Sequence, residues 1–316
     1  MRVLVALGGN ALLRRTEVAS APNQRRNVET AAVALAEIAA EHELIVTHGN
    51  GPQVGLLALQ NEAFPDVPPY PLDVLDAESE GMVGHMLELA LRNALPERDV
   101  VSLLTEVVVA ADDPAFGKPS KPIGPVYDEE QAQRLRLERG WTLGRDGSGY
   151  RRLVPSPEPH AIAEIRSLRA LVDTGALVIC AGGGGIPVAI DGLGGLHGVE
   201  AVVDKDLTAA LLARRLDADL LLLLTDVDAV RADYGGPRER PIAAATPGEL
   251  RRMSFAAGSM GPKVEAACRF AETTGRRAAI ASLSEAGRAV RGEAGTQVEA
   301  PAAEPAIAAA RRLRRD

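Results

Sequence analysis

Lysine is scarce in this chain, and two of its lysines stand where a bound anion would explain them. Arginine supplies most of the 35 basic residues, and the lysines are Lys118, Lys121, Lys205 and Lys263. Lys205 and Lys263 each come at the predicted start of a helix, beside glycine or aspartate. The helix dipole disfavours a cation there by about 0.3–1 kcal/mol. They are either ordinary solvated side chains or ligands of an anion such as a phosphate.

Two aspartates flank the first of these lysines. One of Asp204 and Asp206 could cap the helix, and the other could orient lysines or help hold a cation. Phosphoryl transfer asks for little covalent chemistry from the protein, since positioned cations and hydrogen-bond donors around the transferring group do most of the work. Two lysines, a carboxylate and nearby glycine amides satisfy that need, so phosphoryl transfer is the predicted chemistry.

Three glycine-rich loops each follow a short apolar run. They are Gly8-Gly9-Asn10, His48–Pro52 and Gly182–Gly185. A single Gly-Gly pair is most often a tight turn. The carboxyl ends of parallel strands, however, meet at one edge of a sheet, where glycine amides and helix N-termini favour a phosphate. Three such loops therefore predict an anion site. Thr225-Asp226 also ends an apolar run, as a turn or as part of the same edge.

Several familiar sites are missing from the sequence. It has no P-loop, no dinucleotide-binding glycine fingerprint with its strand and helix, no protein-kinase signature set and no serine-hydrolase elbow. The five histidines form no pair at metal-ligand spacing, and His48 is interpreted as structural rather than catalytic. Cys180 and Cys268 lie in apolar contexts typical of inert core residues.

The elements that must position these residues alternate along the chain. Runs of four to six apolar residues, typical of strands buried on both faces, occur at 3–7, 44–47, 100–105, 177–181, 220–225 and 278–282. Helical periodicity lies between them, as in 28–39, 207–211 and 264–271, the last followed by Gly275 as a stop signal. This alternation predicts an α/β fold with a mostly parallel sheet.

Composition restricts the class of protein further. Hydrophobic residues make up 46% and charged residues 25%, which is typical of a globular chain. The net charge of −8 and the 3% of aromatic residues argue against nucleic acid as a partner. No apolar run approaches 18 residues, so no membrane span is expected. Two cysteines make no disulfide framework, and the cytoplasm is the expected compartment.

Two segments depart from the alternating pattern. Seven prolines fall between residues 112 and 159, and an inserted, protruding subdomain is expected at about 112–157 within a domain of residues 1–299. Residues 300–316 end an Ala/Pro/Glu-rich stretch and are expected to be a flexible tail.

With these motifs assembled, the chain resembles the carbamate kinases of the amino-acid kinase superfamily. The resemblance runs from the first strand to about Thr296. The segments that carry it are VALGGNAL (5–12), HGNGPQVGLL (48–57), PLDV (71–74), KPIGPVY (121–127), VPSPEP (154–159), CAGGGGIPV (180–188), GVEAVVDKDLTA (198–209), LLTDVDAV (223–230) and GSMGPKVEAA (258–267).

The resemblance implies a fold, a reaction and an assembly. The fold is a three-layer α/β/α sandwich around a mainly parallel eight-stranded sheet, with a subdomain over the active site, in a homodimer. The reaction is reversible transfer between ATP and carbamate, giving ADP and carbamoyl phosphate, with Mg²⁺. In arginine or other nitrogen catabolism it would run towards ATP.

The resemblance also implies roles for residues. Lys205 and Lys263 would bind phosphoryl oxygens, Asp206 would organise these lysines, and Lys121 would reach carbamoyl phosphate from the subdomain. The residues implied to hold carbamate and the transferring phosphate are Gly8, Gly9, Asn10, Gly49, Asn50, Gly51, Gly183 and Gly184. Those implied to lie near the nucleotide are Thr225, Asp226, Val227, Gly258, Ser259 and Met260. No protein side chain is implied as a metal ligand.

Two places depart from the family pattern, and alternatives stay open. Glu80 stands where glutamine is expected, and residues 191–197 are unusually rich in glycine, as a longer mobile loop could be. A sibling kinase with another acceptor would share the glycine loops but not the Lys121 segment. A non-catalytic nucleotide-binding protein would not need the lysines. A dehydrogenase is the weakest alternative.

Overall fold

The computed structural model describes residues 1–13, 17–64, 66–256 and 258–301. The strands are β1 (Arg2–Leu7), β2 (Glu43–His48), β3 (Val100–Leu103), β4 (Glu106–Val109), β5 (Lys121–Tyr127), β6 (Leu143–Asp146), β7 (Gly149–Val154), β8 (Ala161–Ile162), β9 (Leu177–Cys180), β10 (Ile186–Ile190), β11 (Leu196–Gly198), β12 (Leu220–Thr225), β13 (Arg231–Ala232), β14 (Arg240–Pro241), β15 (Ala244–Ala245), β16 (Arg277–Ser282) and β17 (Thr296–Val298). The helices are α1 (Gly9–Leu12), α2 (Ala21–Ala39), α3 (Gly51–Glu62), α4 (Leu72–Ala94), α5 (Glu129–Arg139), α6 (Ile165–Asp173), α7 (Lys205–Arg215), α8 (Pro247–Arg251), α9 (Met260–Thr274) and α10 (Ala286–Val290).

A central eight-stranded sheet organises the described part of the chain. Its strand order is β15-β17-β16-β12-β1-β2-β9-β3. Every neighbouring pair is parallel except β16 with β17. In the middle of the sheet, Val5 lies opposite Leu222 on one side and Val46 on the other. The predicted α/β class and the mainly parallel eight-stranded sheet are both confirmed.

Each central strand is apolar throughout because both of its faces are covered. Along β1, Leu4 and Ala6 belong to a hydrophobic cluster that includes side chains of α7 and α9. Val3, Val5 and Leu7 belong to a second cluster on the opposite face, with side chains of α2 and α4. Since neighbouring side chains in a strand point to opposite faces, a strand packed on both sides needs apolar residues at every position. The result is the predicted three-layer sandwich.

Local signals set the ends of the helices that matter for the site. The carboxylate of Asp204 accepts from the backbone N–H groups of Asp206 and Leu207 and so caps α7. Gly275, in the left-handed region with φ of 68°, ends α9, as its position in the sequence predicts. The predicted helical patterns at 28–39, 207–211 and 264–271 lie within α2, α7 and α9.

A separate small sheet forms in the segment predicted as an insertion. Strands β5, β7 and β6 pair antiparallel in that order, and α5 lies between β5 and β6 in the chain. Helix α5 begins with a capping box between Asp128 and Gln131. The division into one domain with an insertion at about 112–157 stays a prediction, and the predicted tail from residue 300 lies outside the described residues beyond residue 301.

The small sheet meets the main body through a contact between two backbones. A Cβ atom placed on Gly55, in α3, would lie 2.0 Å from the Cα atom of Gly124 in β5. Gly124 itself has φ of +72°, a conformation that favours glycine. The approach therefore requires glycine at position 55, the positive φ favours glycine at position 124, and the contact places β5, which begins at Lys121, against α3.

The glycine-rich stretch at 191–197 forms the turn of a hairpin, residues 191–195, and the first two residues of its second strand, β11. Strands β10 and β11 pair antiparallel. One carboxylate oxygen of Asp191 accepts from the backbone N–H groups of Leu193 and Gly195, each at 2.8 Å.

In the described part of the chain, no helix combines the length and the apolar character that crossing a bilayer requires.

Candidate active site

Two of the predicted glycine loops touch at the carboxyl end of the central sheet. The backbone N–H of Gly8 donates to the carbonyl of Leu224, at the end of β12, and that of Gly49 donates to the carbonyl of Leu7. A Cβ atom on Gly49 would lie 3.0 Å from the nitrogen of Gly9 and 3.7 Å from Cε of Lys205. These loops therefore pack as bare backbone beside a lysine. Asn10 follows within α1, and Gly51 begins α3.

The third glycine loop, Gly182–Gly185, packs against Asn50 and the start of α7. Gly183 and Gly184 have φ values of +74° and +111°. A Cβ atom on Gly183 would lie 2.1 Å from the side-chain nitrogen of Asn50, and one on Gly184 would lie 2.3 Å from the carbonyl oxygen of Val203. The hydroxyl of Thr208, in α7, donates to the carbonyl of Gly184 at 2.9 Å. The loop thus joins the Asn50 segment to the start of α7, where Lys205 lies.

Asp206 holds two lysines together at this edge. Its Oδ1 accepts from Nζ of Lys205 at 2.6 Å, and its Oδ2 accepts from Nζ of Lys263 at 2.9 Å. All three side chains are largely buried, with exposed fractions of 6% for Asp206, 9% for Lys205 and 12% for Lys263. The structure therefore brings together two lysines that lie 58 positions apart in the sequence, as the anion-site hypothesis requires.

The electrostatics of this group are those of a cationic site with one counter-charge. Burial opposes the charge on Asp206, but the two lysines outweigh it and hold the pKa of this carboxyl far below its usual range. Burial and the neighbouring Lys263 lower the pKa of Lys205, against the raising effect of Asp206. Burial also lowers the pKa of Lys263, but Asp206, Asp204 and Asp226 outweigh it and raise that pKa overall. Two cations around one carboxylate leave a positive excess for an anionic ligand.

Lys121 arrives from the small sheet and meets the cap of α7. Its Nζ donates to Oδ2 of Asp204 at 2.5 Å, while Oδ1 of Asp204 caps the helix. The two roles that the sequence left open for these aspartates are thus divided between them, with Asp204 as cap and Asp206 as the residue that orients two lysines. Lys121 is 29% exposed, the most open of the three lysines at the site.

The residues predicted near a nucleotide lie at the neighbouring strand and helix ends. Thr225 is the last residue of β12, its hydroxyl donates to Asp226 at 3.1 Å, and Val227 follows in a turn. Asp226 raises the pKa of Lys263 electrostatically, which ties this turn to the lysines. Gly258 and Ser259 precede α9, which begins at Met260, one turn before Lys263. Their role towards a nucleotide stays a prediction.

A buried polar cluster lies on α4, and of its members the sequence singled out Glu80 alone, without indicating that it is buried. Asp76, Ser79 and Glu80 are each at most 2% exposed. Oε1 of Glu80 accepts from the backbone N–H of Gly182 at 2.8 Å, and Oε2 accepts from that of Thr105 at 3.3 Å. The available signal was their spacing, since residues three and four apart share one face of a helix. Charged residues on a helix usually mark a solvated face, so the spacing alone did not indicate burial.

His48 and the cysteines fit the structural roles predicted for them. His48 is fully buried, and burial lowers its pKa to about 4, so the imidazole is neutral near pH 7. A Cβ atom on Gly182 would lie 2.3 Å from the His48 ring, so the ring fills space behind the third glycine loop. Cys180 and Cys268 are buried, and burial raises the pKa of both thiols. Neither is a reactive thiolate near neutral pH.

Glu80 is expected to make the fold less stable as the pH rises. Burial raises its pKa from 4.5 to about 8, against the two N–H donors that favour the charged form. The folded pKa lies above the unfolded one, so this contribution to stability is complete below about pH 4.5 and is lost as the pH rises through about 8. Between pH 6 and pH 8, the wild type should lose about 2 kcal/mol more unfolding free energy than Glu80→Gln.

Urea unfolding at several pH values measures this difference. Glu78→Gln is the matched control, because Glu78 lies exposed on the same helix two residues away. The control should follow the wild type at every pH. Parallel pH curves for the wild type and Glu80→Gln would mean that Glu80 is already ionised in the fold.

Comparison with known proteins identifies the family. The sequence pattern of the amino acid kinase family matches residues 1–282. A carbamate kinase of Haemophilus influenzae is 54% identical over 299 residues, covering 94% of this chain and 96% of that protein. A carbamate kinase of Pyrococcus furiosus is 46% identical over 310 residues, covering 94% and 98%.

The fold agrees with the sequence comparison. The solved structure of a carbamate kinase from Giardia lamblia bound to AMP-PNP superposes with a TM-score of 0.86 at 40% identity, covering 95% of this chain and 98% of that one. The chain therefore belongs to the amino acid kinase family and, within it, to the carbamate kinases.

Proposed function

We propose that this kinase transfers a phosphoryl group reversibly between ATP and carbamate, giving ADP and carbamoyl phosphate, by electrostatic catalysis at the lysine site. The observation that carries the proposal is the pairing of Lys205 and Lys263 on the two oxygens of Asp206, beside the glycine loops. The Giardia relative was solved with AMP-PNP, a nucleotide analogue. The lysines supply the charge that the transfer needs.

The transfer itself forms one phosphorus–oxygen bond and breaks another. Towards ATP, a β-phosphate oxygen of ADP attacks the phosphorus of carbamoyl phosphate, and the bond to the carbamoyl oxygen breaks and releases carbamate. Lys205 and Lys263 stabilise the negative charge spread over the transferring oxygens, and glycine amides donate to them. Asp206 keeps both lysines charged and aimed at one place. Lys121 binds carbamoyl phosphate from the side of the small sheet.

Mg²⁺ enters this proposal as part of the nucleotide substrate. Within the described residues, no group of three or more His, Cys, Asp or Glu side chains could hold a metal by itself. Asp204 and Asp206 each use both carboxylate oxygens within the protein. Mg²⁺ is commonly held by substrate phosphates with few protein ligands, which fits this donor set. When bound, the ion neutralises phosphate charge alongside the lysines.

A homodimer in the cytoplasm is the proposed setting. Met82 and Leu89, seven residues apart on α4, are exposed, and so is Leu104, which lies 3.8 Å from the place a Cβ atom on Gly81 would occupy. Exposed apolar side chains grouped in this way are typical of a contact surface. The two buried thiols are free, as is usual in a reducing compartment. ATP formation during arginine or other nitrogen catabolism is the proposed role.

The decisive experiment is ATP formation from ADP and Mg²⁺ with carbamoyl phosphate, with acetyl phosphate as a parallel phosphoryl donor. We expect rapid ATP formation with carbamoyl phosphate and a rate lower by at least about 100-fold with acetyl phosphate, because a site that hydrogen-bonds an amino group rejects an analogue lacking it. Equal rates would indicate a general acyl-phosphate kinase. Binding of ADP without turnover of either donor would contradict the proposal.

A further inference from the structure

We propose that Asp76 and Ser79 act as positioning residues that turn the amide of Asn50 so that its carbonyl oxygen accepts a hydrogen bond from the amino group of carbamate. The inference rests on the proposed function, and it concerns how the site tells carbamoyl phosphate from other acyl phosphates. It assigns a specificity role to two residues of α4 that do not themselves contact the transferring phosphate.

The amide of Asn50 is held by its nitrogen. Its Nδ2 donates to Oδ1 of Asp76 at 3.0 Å and to Oγ of Ser79 at 2.7 Å. Asn50 precedes α3, yet its side chain does not cap that helix. Both amide hydrogens are therefore used by α4, and neither is left for a ligand.

The hydroxyl of Ser79 fixes which way round the amide lies. Ser79 donates its one hydrogen to the backbone carbonyl of Asp76 at 3.0 Å, so its Oγ can only accept from Asn50. An amide turned by 180° would place two acceptors against each other at this position. The carbonyl oxygen Oδ1 of Asn50 must then point away from Ser79, and no donor in the described part of the chain occupies it.

Burial makes this arrangement rigid. Asn50 is 2% exposed, Asp76 is 1% exposed and Ser79 is fully buried. Oδ2 of Asp76 is buried without a hydrogen-bond partner among the described residues, and burial raises the pKa of this carboxyl well above its usual range. A structure that only needed to support α3 would not require a carboxyl group in so dry a place. Setting the direction of the neighbouring amide is a role that accounts for a carboxyl group at this position.

The amide of Asn50 lies where the acceptor substrate must bind. It packs against the Cα atom of Gly183, in the third glycine loop. The preceding residue, Gly49, touches Gly9 and lies beside Lys205. Asn50 therefore belongs to the same cluster of glycine loops that contacts Lys205, and we place the carbamoyl end of the substrate here.

A hydrogen-bond acceptor in the protein can distinguish carbamoyl phosphate from acetyl phosphate. The amino group of carbamoyl phosphate donates hydrogen bonds, whereas the methyl group of acetyl phosphate has nearly the same shape and donates none. A buried acceptor left unpaired by the methyl group penalises acetyl phosphate. Turning the amide round would present Nδ2 to the substrate and remove this selection.

The test is the selectivity ratio, defined as kcat/KM for carbamoyl phosphate divided by kcat/KM for acetyl phosphate, both measured as ATP formation on the full chain. Ser79→Ala and Asp76→Ala should each lower this ratio by about tenfold or more, the worth of one hydrogen bond. Asp76→Asn keeps an acceptor for Asn50 and should restore most of the ratio. The KM for ADP should change little in all three variants.

Glu78→Ala is the control, since Glu78 is exposed on the same helix, and its ratio should equal that of the wild type. A merely structural role would lower activity with both donors in proportion and leave the ratio unchanged, and that outcome in the folded Ser79→Ala protein would overturn the inference. A wild type that makes no ATP from carbamoyl phosphate would instead overturn the proposed function. The two failures are therefore distinguishable.

Discussion

Lys263→Ala is expected to lower kcat by two orders of magnitude or more while the protein stays folded. The lysine is 12% exposed and donates to Oδ2 of Asp206 at 2.9 Å. In the proposed mechanism, its removal takes away one of the two cations that stabilise the transferring phosphate, a loss comparable to that of one oxyanion-hole donor, about 3–4 kcal/mol of transition-state stabilisation. Asp206 keeps its pairing with Lys205, so the carboxylate is not left alone.

Steady-state kinetics in the direction of ATP formation measures the loss, with thermal unfolding as a check on the fold. Lys118→Ala is the matched control, because Lys118 is exposed and its substitution changes the net charge by the same amount as Lys263→Ala. The control should retain the wild-type kcat. Turnover within about threefold of wild type in Lys263→Ala would remove this lysine from the mechanism.

Asp206→Ala should damage both stability and activity. Among the described residues, it leaves Lys205 and Lys263 buried with no carboxylate hydrogen-bonded to either side-chain nitrogen. Removing one member of a buried ion pair costs about 3–5 kcal/mol because the remaining charge stays uncompensated. The lysines would then lose charge or move apart, and either response lowers kcat at least as much as Lys263→Ala does.

Urea unfolding and steady-state kinetics together test this expectation. Asp112→Ala serves as control, since Asp112 is exposed and the change in net charge is the same. High concentrations of phosphate or carbamoyl phosphate should restore part of the lost stability, because an anion replaces the missing counter-charge. A loss of less than about 1 kcal/mol in unfolding free energy would show that the lysines do not depend on Asp206.

The sheet and the lysine site could be predicted because their sequence signals are local. Apolar runs such as Leu220–Thr225 have few interpretations once helices alternate with them, and the structure confirms their parallel order. A lysine at a helix start is unusual in itself, so the positions of Lys205 and Lys263 predict an anion site from the sequence alone. Glycine loops after strands must meet wherever parallel strands end together.

What escaped prediction depends on contacts between distant segments. Asp76 and Glu80 are charged residues on a helix, and only the packing of α4 under the glycine loops makes them buried. The division of roles between Asp204 and Asp206 required Lys121, which lies 83 residues before Asp204. The hydrophobic periodicity of a sequence does not indicate an ion pair between residues so far apart. The glycines at 191–197 gave no sign of the turn that the carboxylate of Asp191 organises, and their mobility stays a prediction.

The contact between Gly55 and Gly124 fixes the position of β5, the strand that begins at Lys121, against α3. Two bare backbones touch there, and the strand that carries the lysine begins three residues away. The distance between β5 and α3 is thus set by main-chain atoms. No substitution can shorten it, and a single methyl group on Gly55 would lengthen it. The separation of the small sheet from α3 is therefore determined at this contact by backbone atoms alone.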